Sequence, residues 1–230
     1  MARGKDRQIT TARMPGLSAV ARATIRRNSA PEAQSISTED GLEAARRIAA
    51  VAEAEGVDFA LAGGIAMHLY GFTRATTDVD MIASDVLDLG SVRDLSFGGE
   101  SYPVDIGART INVDWIVRDD DLKDVYERAL ADAQMTDTGL PVVTPEWLVI
   151  IKKLADRGKD YLDLLWLLRS EGLVDRAKIE ELLRALFGRG AYWPIQDMES
   201  LYLEADLLKA KDERDEGVRS PSAKRPRGRK

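Results

Sequence analysis

The stretch LAGGIAMHLYGFTRATTDVDMIAS, Leu61 to Ser84, places two glycines after one apolar run and two aspartates inside the next. The run from Val57 alternates as a strand does, GIAMHLYG predicts a short helix, and TDVDMIA predicts a second strand. Strand side chains two residues apart point the same way, so Asp78 and Asp80 present both carboxylates to one face.

Two neighbouring anions on a strand repel each other and raise each other's pKa unless positive charge lies between them. Three interpretations fit Asp78 and Asp80. They are solvated residues at a strand end, they are salt-bridged to Arg74 or a lysine, or they bind a divalent cation. The spacing alone does not choose among the three.

A third acid, Asp114, lies in INVDWIV, where Ile111, Val113 and Trp115 form one strand face and Asp114 lies on the other. An unpaired acid in so apolar a strand is costly to bury. If this strand lies beside the first, Asp114 completes a cluster of three carboxylates, which suits two-metal phosphoryl transfer. The alternative is an edge-strand acid that faces water.

The glycines at 63 and 64 allow close backbone approach, and the N–H groups of the helix that follows are suited to bind phosphate. A tight turn explains the pair equally well. The pattern is neither a P-loop nor a dinucleotide fingerprint, because both need further glycines.

Helices dominate the second half of the chain. TPEWLVIIKKLADRG predicts a helix that begins at Pro145, and further helices are expected near 160–170, 175–187 and 195–210. Trp147, Ile150, Ile151 and Leu154 form the apolar stripe of the helix that begins at Pro145. Lys152 is therefore predicted to be solvated, and Lys153 and Arg157 are predicted to lie on the flank of that stripe. Asp160 is interpreted either as a cap of the next helix or as a site residue.

Composition limits the chemistry. The 230 residues contain no cysteine and one histidine, which excludes disulfides, thiolate metal sites and sites with several histidines. A divalent cation would need oxygen ligands, which suits Mg²⁺ or Mn²⁺. No apolar run is long enough to cross a bilayer, so we expect no membrane segment and a cytoplasmic location.

Charge is unevenly distributed over a chain of net charge −6. Residues 1–30 and 217–230 each carry +6, which leaves −18 on residues 31–216. We predict a disordered basic lead over 1–36, a first domain over 37–143, a helical domain over 144–210 and a disordered basic tail over 211–230.

Taken together, Gly63-Gly64, the segment GFTRATTDVDM and the later Asp114 resemble the nucleotidyltransferase superfamily of the DNA polymerase β type. The segment is similar to the form found in AbiEii-type toxins and other minimal bacterial members. The likeness covers roughly 37–117 and implies an α/β (α+β) fold. That fold has a small mixed sheet flanked by helices, with the acids at one edge, and a helical C-terminal block.

The same resemblance extends to KLADRGKDYLDLLWLL. It implies that an NMP moves from an NTP such as ATP to an acceptor hydroxyl, with release of pyrophosphate. Asp78, Asp80 and Asp114 would then hold Mg²⁺ (or Mn²⁺), with Asp114 accepting the proton of the hydroxyl. The implied nucleotide-binding residues are Gly63, Gly64, Arg74, Thr77, Lys153, Arg157 and Asp160.

The acceptor is left open among a small molecule, a protein side chain and a tRNA end. A toxin-like role would imply an antitoxin partner. The competing hypothesis is a non-catalytic binding or regulatory protein that keeps the sheet and lacks the metal site.

Overall fold

A computed structural model describes residues 35–89 and 93–219, with side chains described as far as residue 215. The elements, in chain order, are α1 (Thr38–Glu55), β1 (Phe59–Ala62), α2 (Gly63–Leu69), β2 (Asp78–Ala83), β3 (Glu100–Ile106), β4 (Arg109–Ile116), α3 (Lys123–Ala131), β5 (Gln134–Met135), β6 (Pro141–Val142), α4 (Pro145–Ala155), α5 (Asp160–Arg169), α6 (Arg176–Phe187), a 3₁₀ turn (Gly188–Ala191) and α7 (Tyr192–Arg219). The predicted α/β fold is confirmed.

The six strands form one mixed sheet in the order β3-β4-β2-β1-β6-β5. The β2–β4 and β1–β6 pairs are parallel, and the other pairs are antiparallel. β2 and β4 are therefore inner strands. The acids lie within the sheet, so the expectation that they lie at one edge of the sheet is wrong, and the alternative of Asp114 as an edge-strand acid is excluded.

Helix α1 begins at a side-chain cap and ends at a glycine. The Ser37 hydroxyl accepts a hydrogen bond from the backbone N–H of Asp40 at 3.0 Å, and Gly56 ends the helix with a φ of 71°. The left-handed conformation at Gly56 is one that a side chain disfavours. The buried face of α1 packs against the sheet through Leu42, Ala45 and Ile48.

The helices after β6 are more enclosed than the single apolar stripe of α4 suggests. In α4, every residue from Glu146 to Lys152 is buried. α5 packs against both α4 and α7. α7 runs to Arg219, beyond the end at 210 that we predicted.

Two short strands were not predicted. β5 and β6 have only two residues each, too few for a period-two pattern to show in the sequence. β6 pairs with β1 through Val142 and Leu61 and so extends the sheet towards α4. Of the predicted basic lead over 1–36, residues 1–34 lie outside the described residues. Of the predicted disordered tail over 211–230, residues 211–219 belong to α7 and the rest lie outside the described residues. Within the described ranges, no helix is both long enough and apolar enough to cross a bilayer.

Candidate active site

The three acids singled out in the sequence occupy one face of two neighbouring strands. β2 and β4 are parallel, and their register pairs Asp80 directly with Asp114 and Asp78 with Asn112. Directly paired residues on adjacent strands point to the same face, and the strands lie about 4.8 Å apart. Asp80 and Asp114 are therefore side-by-side neighbours, with Asp78 one alternation away on the same face.

The double glycine makes room for this face. A Cβ placed on Gly63 would lie 1.7 Å from Oδ2 of Asp80, and Gly63 has a φ of 56°. A Cβ on Gly64 would lie 2.4 Å from Oγ1 of the buried Thr76. Both glycines are thus required by the side chains that β2 and its approach present to them.

Burial raises the pKa of Asp80, and the negative charge of Asp78 raises it further. The positive charges of Lys159, Arg157 and Lys152 act in the opposite direction. The ionised form of Asp80 is therefore disfavoured in the metal-free fold although three cations lie near it. An additional cation at the acids would relieve that cost.

The donor chemistry of this face fits a hard divalent cation, because all three acids offer carboxylate oxygens. Gly63 gives the Asp80 carboxylate the space that a side chain would fill. Among the residues the structure describes, no three acidic or histidine side chains converge on a common ion as they stand. The acids instead lie close together in pairs. Asp80 and Asp114 are neighbours by strand register, and Asp78 and Asp80 are two residues apart on the same strand.

The segment between α2 and β2 is held by hydrogen bonds from several elements. His68 contacts the carbonyl oxygen of Arg74 through Nε2 at 2.7 Å and the Thr38 hydroxyl through Nδ1 at 2.9 Å. Thr76 is buried, and its hydroxyl donates to the backbone carbonyl of Asp78 at 3.2 Å. Thr77, the predicted site threonine, is exposed.

Arg74 does not pair with Asp78 or Asp80, one of the three alternatives. Its guanidinium makes two bonds to Asp163, from Nε at 2.8 Å and from Nη2 at 2.9 Å. Asp163 is fully buried in α5. Arg74 thus ties the approach to the acids to the helical block, and the structure does not bring it to the acids through an ion pair.

Asp163 belongs to a chain of alternating charges that also contains Lys152 and Asp160. The Lys152 ammonium donates to Asp163 at 2.6 Å and to Asp160 at 3.1 Å. Arg157 donates to the second oxygen of Asp160 at 2.5 Å. Burial acts to raise the pKa of Asp160, but the charges of Lys152 and Arg157 and their hydrogen bonds lower it below its usual range.

The predicted surface position of Lys152 is wrong, because Lys152 is only 3% exposed. The prediction assumed one buried face on α4, whereas α5 covers the opposite side with Asp160 and Asp163. Lys153 instead pairs with Asp197 of α7 at 3.3 Å. The alternative role of Asp160 as a helix cap is also not seen, since α5 has no side-chain cap bond.

Two cavities bear on the site. One of about 410 Å³ is lined by Lys152, Lys153 and Arg157, so two of the predicted nucleotide-binding cations, Lys153 and Arg157, share a space. A larger one of about 860 Å³ lies at the opposite end of the strands, beside Phe59 and Ala83, and none of the three acids lines either cavity. We place the candidate site on the side of the smaller cavity, because Arg157, which lines it, lies near Asp80.

Sequence reasoning missed three residues that the structure places at the site. Lys159 lies near Asp80, Lys152 lies inside the ion network, and Ser101 donates to Asp114 at 2.6 Å. Lys159 stands in the KLADRGKD segment and was within reach of the resemblance. Ser101 carries no sequence signal, because its role depends on the pairing of β3 with β4.

No family model matches this chain, and no curated protein matches it in sequence. Several solved structures resemble it, among them two whose likeness spans at least 73% of this chain. One is an antigenic nucleotidyltransferase-like protein from Paracoccidioides brasiliensis, with 14% identity and a TM-score of 0.42 over 73% of this chain and 94% of that one. The other is the antibiotic-resistance factor ANT(2'')-Ia, with 15% identity and a TM-score of 0.33 over 79% of this chain and 100% of that one. At such identities neither likeness assigns a substrate.

The glycine contact predicts a difference between two substitutions at positive φ. Gly56→Ala meets nothing within 4 Å, so it should lose only about 1–2 kcal/mol for the left-handed conformation. Gly63→Ala adds a clash with Asp80 and should lose at least about 1 kcal/mol more. Urea unfolding measures both, and equal losses would show that Gly63 does not serve to accommodate Asp80.

The ion network predicts that Lys152 contributes much more to folding stability than Lys153, the other lysine of α4. Lys152→Met leaves Asp160 and Asp163 buried without the cation between them and should cost about 3–5 kcal/mol. Lys153→Met removes a partly exposed pair and should cost under about 1 kcal/mol. Chemical denaturation of the two variants compares them, and a larger loss for Lys153→Met would refute the arrangement.

The raised pKa of Asp80 predicts that Asp80→Asn stabilises the metal-free protein at neutral pH, because the wild type must carry an unfavourable charge there. The advantage should shrink as the pH falls through the raised pKa of Asp80 and vanish below the usual aspartate range of about 4, where Asp80 is protonated in both the folded and the unfolded state. Thermal melts in a chelator across pH measure it.

The exposed Asp121→Asn is the matched control and should show no such stabilisation. Adding Mg²⁺ should raise the melting temperature of the wild type and leave Asp80→Asn almost unchanged. A variant that melts below the wild type at neutral pH without metal would contradict the predicted sign.

Proposed function

We propose that this chain is a nucleotidyltransferase that depends on a divalent cation and moves an NMP from an NTP to an acceptor hydroxyl. The observation that carries the proposal is the register that pairs Asp80 with Asp114 on neighbouring parallel strands. Asp78 extends the same acidic face, and Asp80 has a raised pKa. Such a face costs free energy in the absence of a cation and offers the oxygen ligands that Mg²⁺ or Mn²⁺ requires.

In the proposed reaction, the acceptor oxygen forms a bond to the α-phosphorus of the NTP. The bond from that phosphorus to the oxygen bridging to the β-phosphorus breaks, and pyrophosphate leaves with the electron pair. The proton of the hydroxyl passes to the Asp114 carboxylate. Bound cations at Asp78, Asp80 and Asp114 would supply charge neutralisation for the phosphoryl oxygens.

The protein's own contribution is positioning. Arg157 and Lys159 lie near Asp80 and are exposed, so they are suited to bind the β- and γ-phosphates. Lys153 lines the cavity that Arg157 shares and can bind a phosphate after release from Asp197. Lys152 and Asp160 hold Arg157 from the buried side.

Gly63 and Gly64 retain a second role in this proposal. They open α2, whose first N–H groups stand at the end of β1 beside Asp80. Phosphate oxygens bound there would lie next to the cations held by the acids. The role of Arg74 and Thr77 in this proposal is limited to the loop that leads into β2, which contains both residues. Arg74 also joins that loop to Asp163.

The competing function is a binding protein with the same sheet and no transfer. Transfer is supported by the shared face of the three acids and by the cations near Asp80. The binding protein is favoured by one observation, that among the described residues no three acids converge on a common ion as they stand.

A transfer assay separates the two functions. The purified chain is incubated with each of the four α-labelled NTPs, Mg²⁺, and separate acceptor pools of tRNA, protein and hydroxyl-rich small molecules. We expect label transfer to one pool, dependence on Mg²⁺, and a loss of at least about 100-fold in Asp80→Ala. Asp121→Ala is the matched control and should retain activity.

Transfer that persists in Asp80→Ala would refute the mechanism. No transfer to any pool, together with no metal-dependent NTP binding, would favour the binding protein.

A further inference from the structure

The carboxylate of Asp114 is bound on one oxygen only. The Ser101 hydroxyl donates to Oδ1 at 2.6 Å, and the Arg93 guanidinium donates to the same oxygen at 3.3 Å. Within the described part of the chain, Oδ2 of Asp114 has no hydrogen-bond partner. One oxygen is therefore fixed and the other is left for a ligand.

Ser101 is built into this position. It stands directly opposite Asp114 in the antiparallel β3–β4 pair, and it is only 3% exposed. Its backbone N–H donates to the carbonyl oxygen of Arg93 at 2.8 Å, which holds that segment alongside β3. The bond therefore joins a rigid strand residue to an acid of the neighbouring strand.

β3 and β2 lie on opposite sides of β4. A bond from Asp114 to β3 through Oδ1 therefore turns Oδ2 away from Ser101, towards the side on which Asp80 is paired. A hydrogen bond to one oxygen of a ligating carboxylate fixes its orientation and is a common support of metal sites.

We propose that Ser101 is a positioning residue that orients Asp114 so that Oδ2 is presented to the cation shared with Asp80. The inference rests on the proposed function, since it needs a cation at the acids. Ser101 contacts neither the cation nor the substrate and acts through Asp114.

Arg93 contributes less than Ser101. It is 61% exposed in its side chain, and its bond to Asp114 is longer. Exposed ion pairs are screened by salt and contribute little. Arg93→Gln should therefore change Mn²⁺ affinity by less than Ser101→Ala does, and the change should vanish at high ionic strength.

The β3–β4 pair contains its own control. Thr110 stands directly opposite Asp105 and donates to its carboxylate at 2.7 Å, with the same chemistry and register as Ser101 with Asp114. Both members are exposed and lie near the hairpin turn, away from the acids. Thr110→Ala therefore removes an equivalent bond without touching the site.

The experiment titrates Mn²⁺ into the metal-free full-length protein and follows free Mn²⁺ by electron paramagnetic resonance. Ser101→Ala should weaken Mn²⁺ binding about tenfold. Thr110→Ala should leave it at the wild-type value. Ser101→Thr keeps the hydroxyl and should restore most of the affinity. Circular dichroism melts of each variant confirm that the titrations are made on folded protein.

Unchanged or tighter Mn²⁺ binding in Ser101→Ala would overturn the inference, because the serine would then be structural or would hold Asp114 away from the cation. Weakening by Ser101→Ala that Ser101→Thr does not restore, in a folded variant, would also overturn it. If the wild type binds Mn²⁺ and Ser101→Ala weakens it but no transfer occurs, only the proposed function fails. A wild type that binds no Mn²⁺ overturns both.

Discussion

Asp80 and Asp114 lie side by side on parallel strands, and Asp78 adds a third negative charge to the same face. Their mutual repulsion is the constraint to which the neighbouring structure responds. The absence of a side chain at Gly63 leaves room for the Asp80 carboxylate, and Ser101 and Arg93 bind one oxygen of Asp114. The arrangement is costly without compensating positive charge, and the cation of the proposed function would remove that cost.

The helices after β6 supply positive charge near the same acids. Lys152 stands between Asp160 and Asp163 in α5, and those two acids bind Arg157 and Arg74 in turn. In this network each of the buried charges Lys152, Asp160 and Asp163 has a partner, which is the condition under which buried ions are tolerated. The network therefore fixes the position of the loop between α4 and α5, from which Arg157 and Lys159 act on Asp80.

Local patterns carried most of the fold. Pro145 marked the start of α4 correctly, and the alternation around Asp78 and Asp114 placed both acids on strands. The pairing of these strands was an assumption that the structure confirms.

The predictions that failed depended on contacts between residues far apart in the chain. Arg74 and Asp163 are 89 residues apart in the chain, and nothing in either segment announces the partner. The stripe on α4 misassigned Lys152, because an amphipathic pattern reports one buried face and cannot reveal a second helix packed on the other.

The net charge of the chain differs from the local charge balance at the site. The residues from 31 to 216 carry −18 in total, which opposes the approach of a polyanion. Around Asp80 the balance is local and different, with Lys152, Arg157 and Lys159 on one side and Asp78 on the other. Under the proposed function, a triphosphate meets the cations first and reaches the acids only with its charge neutralised by metal. Nucleotide and metal binding should then reinforce each other, because each removes a repulsion that the other would face alone.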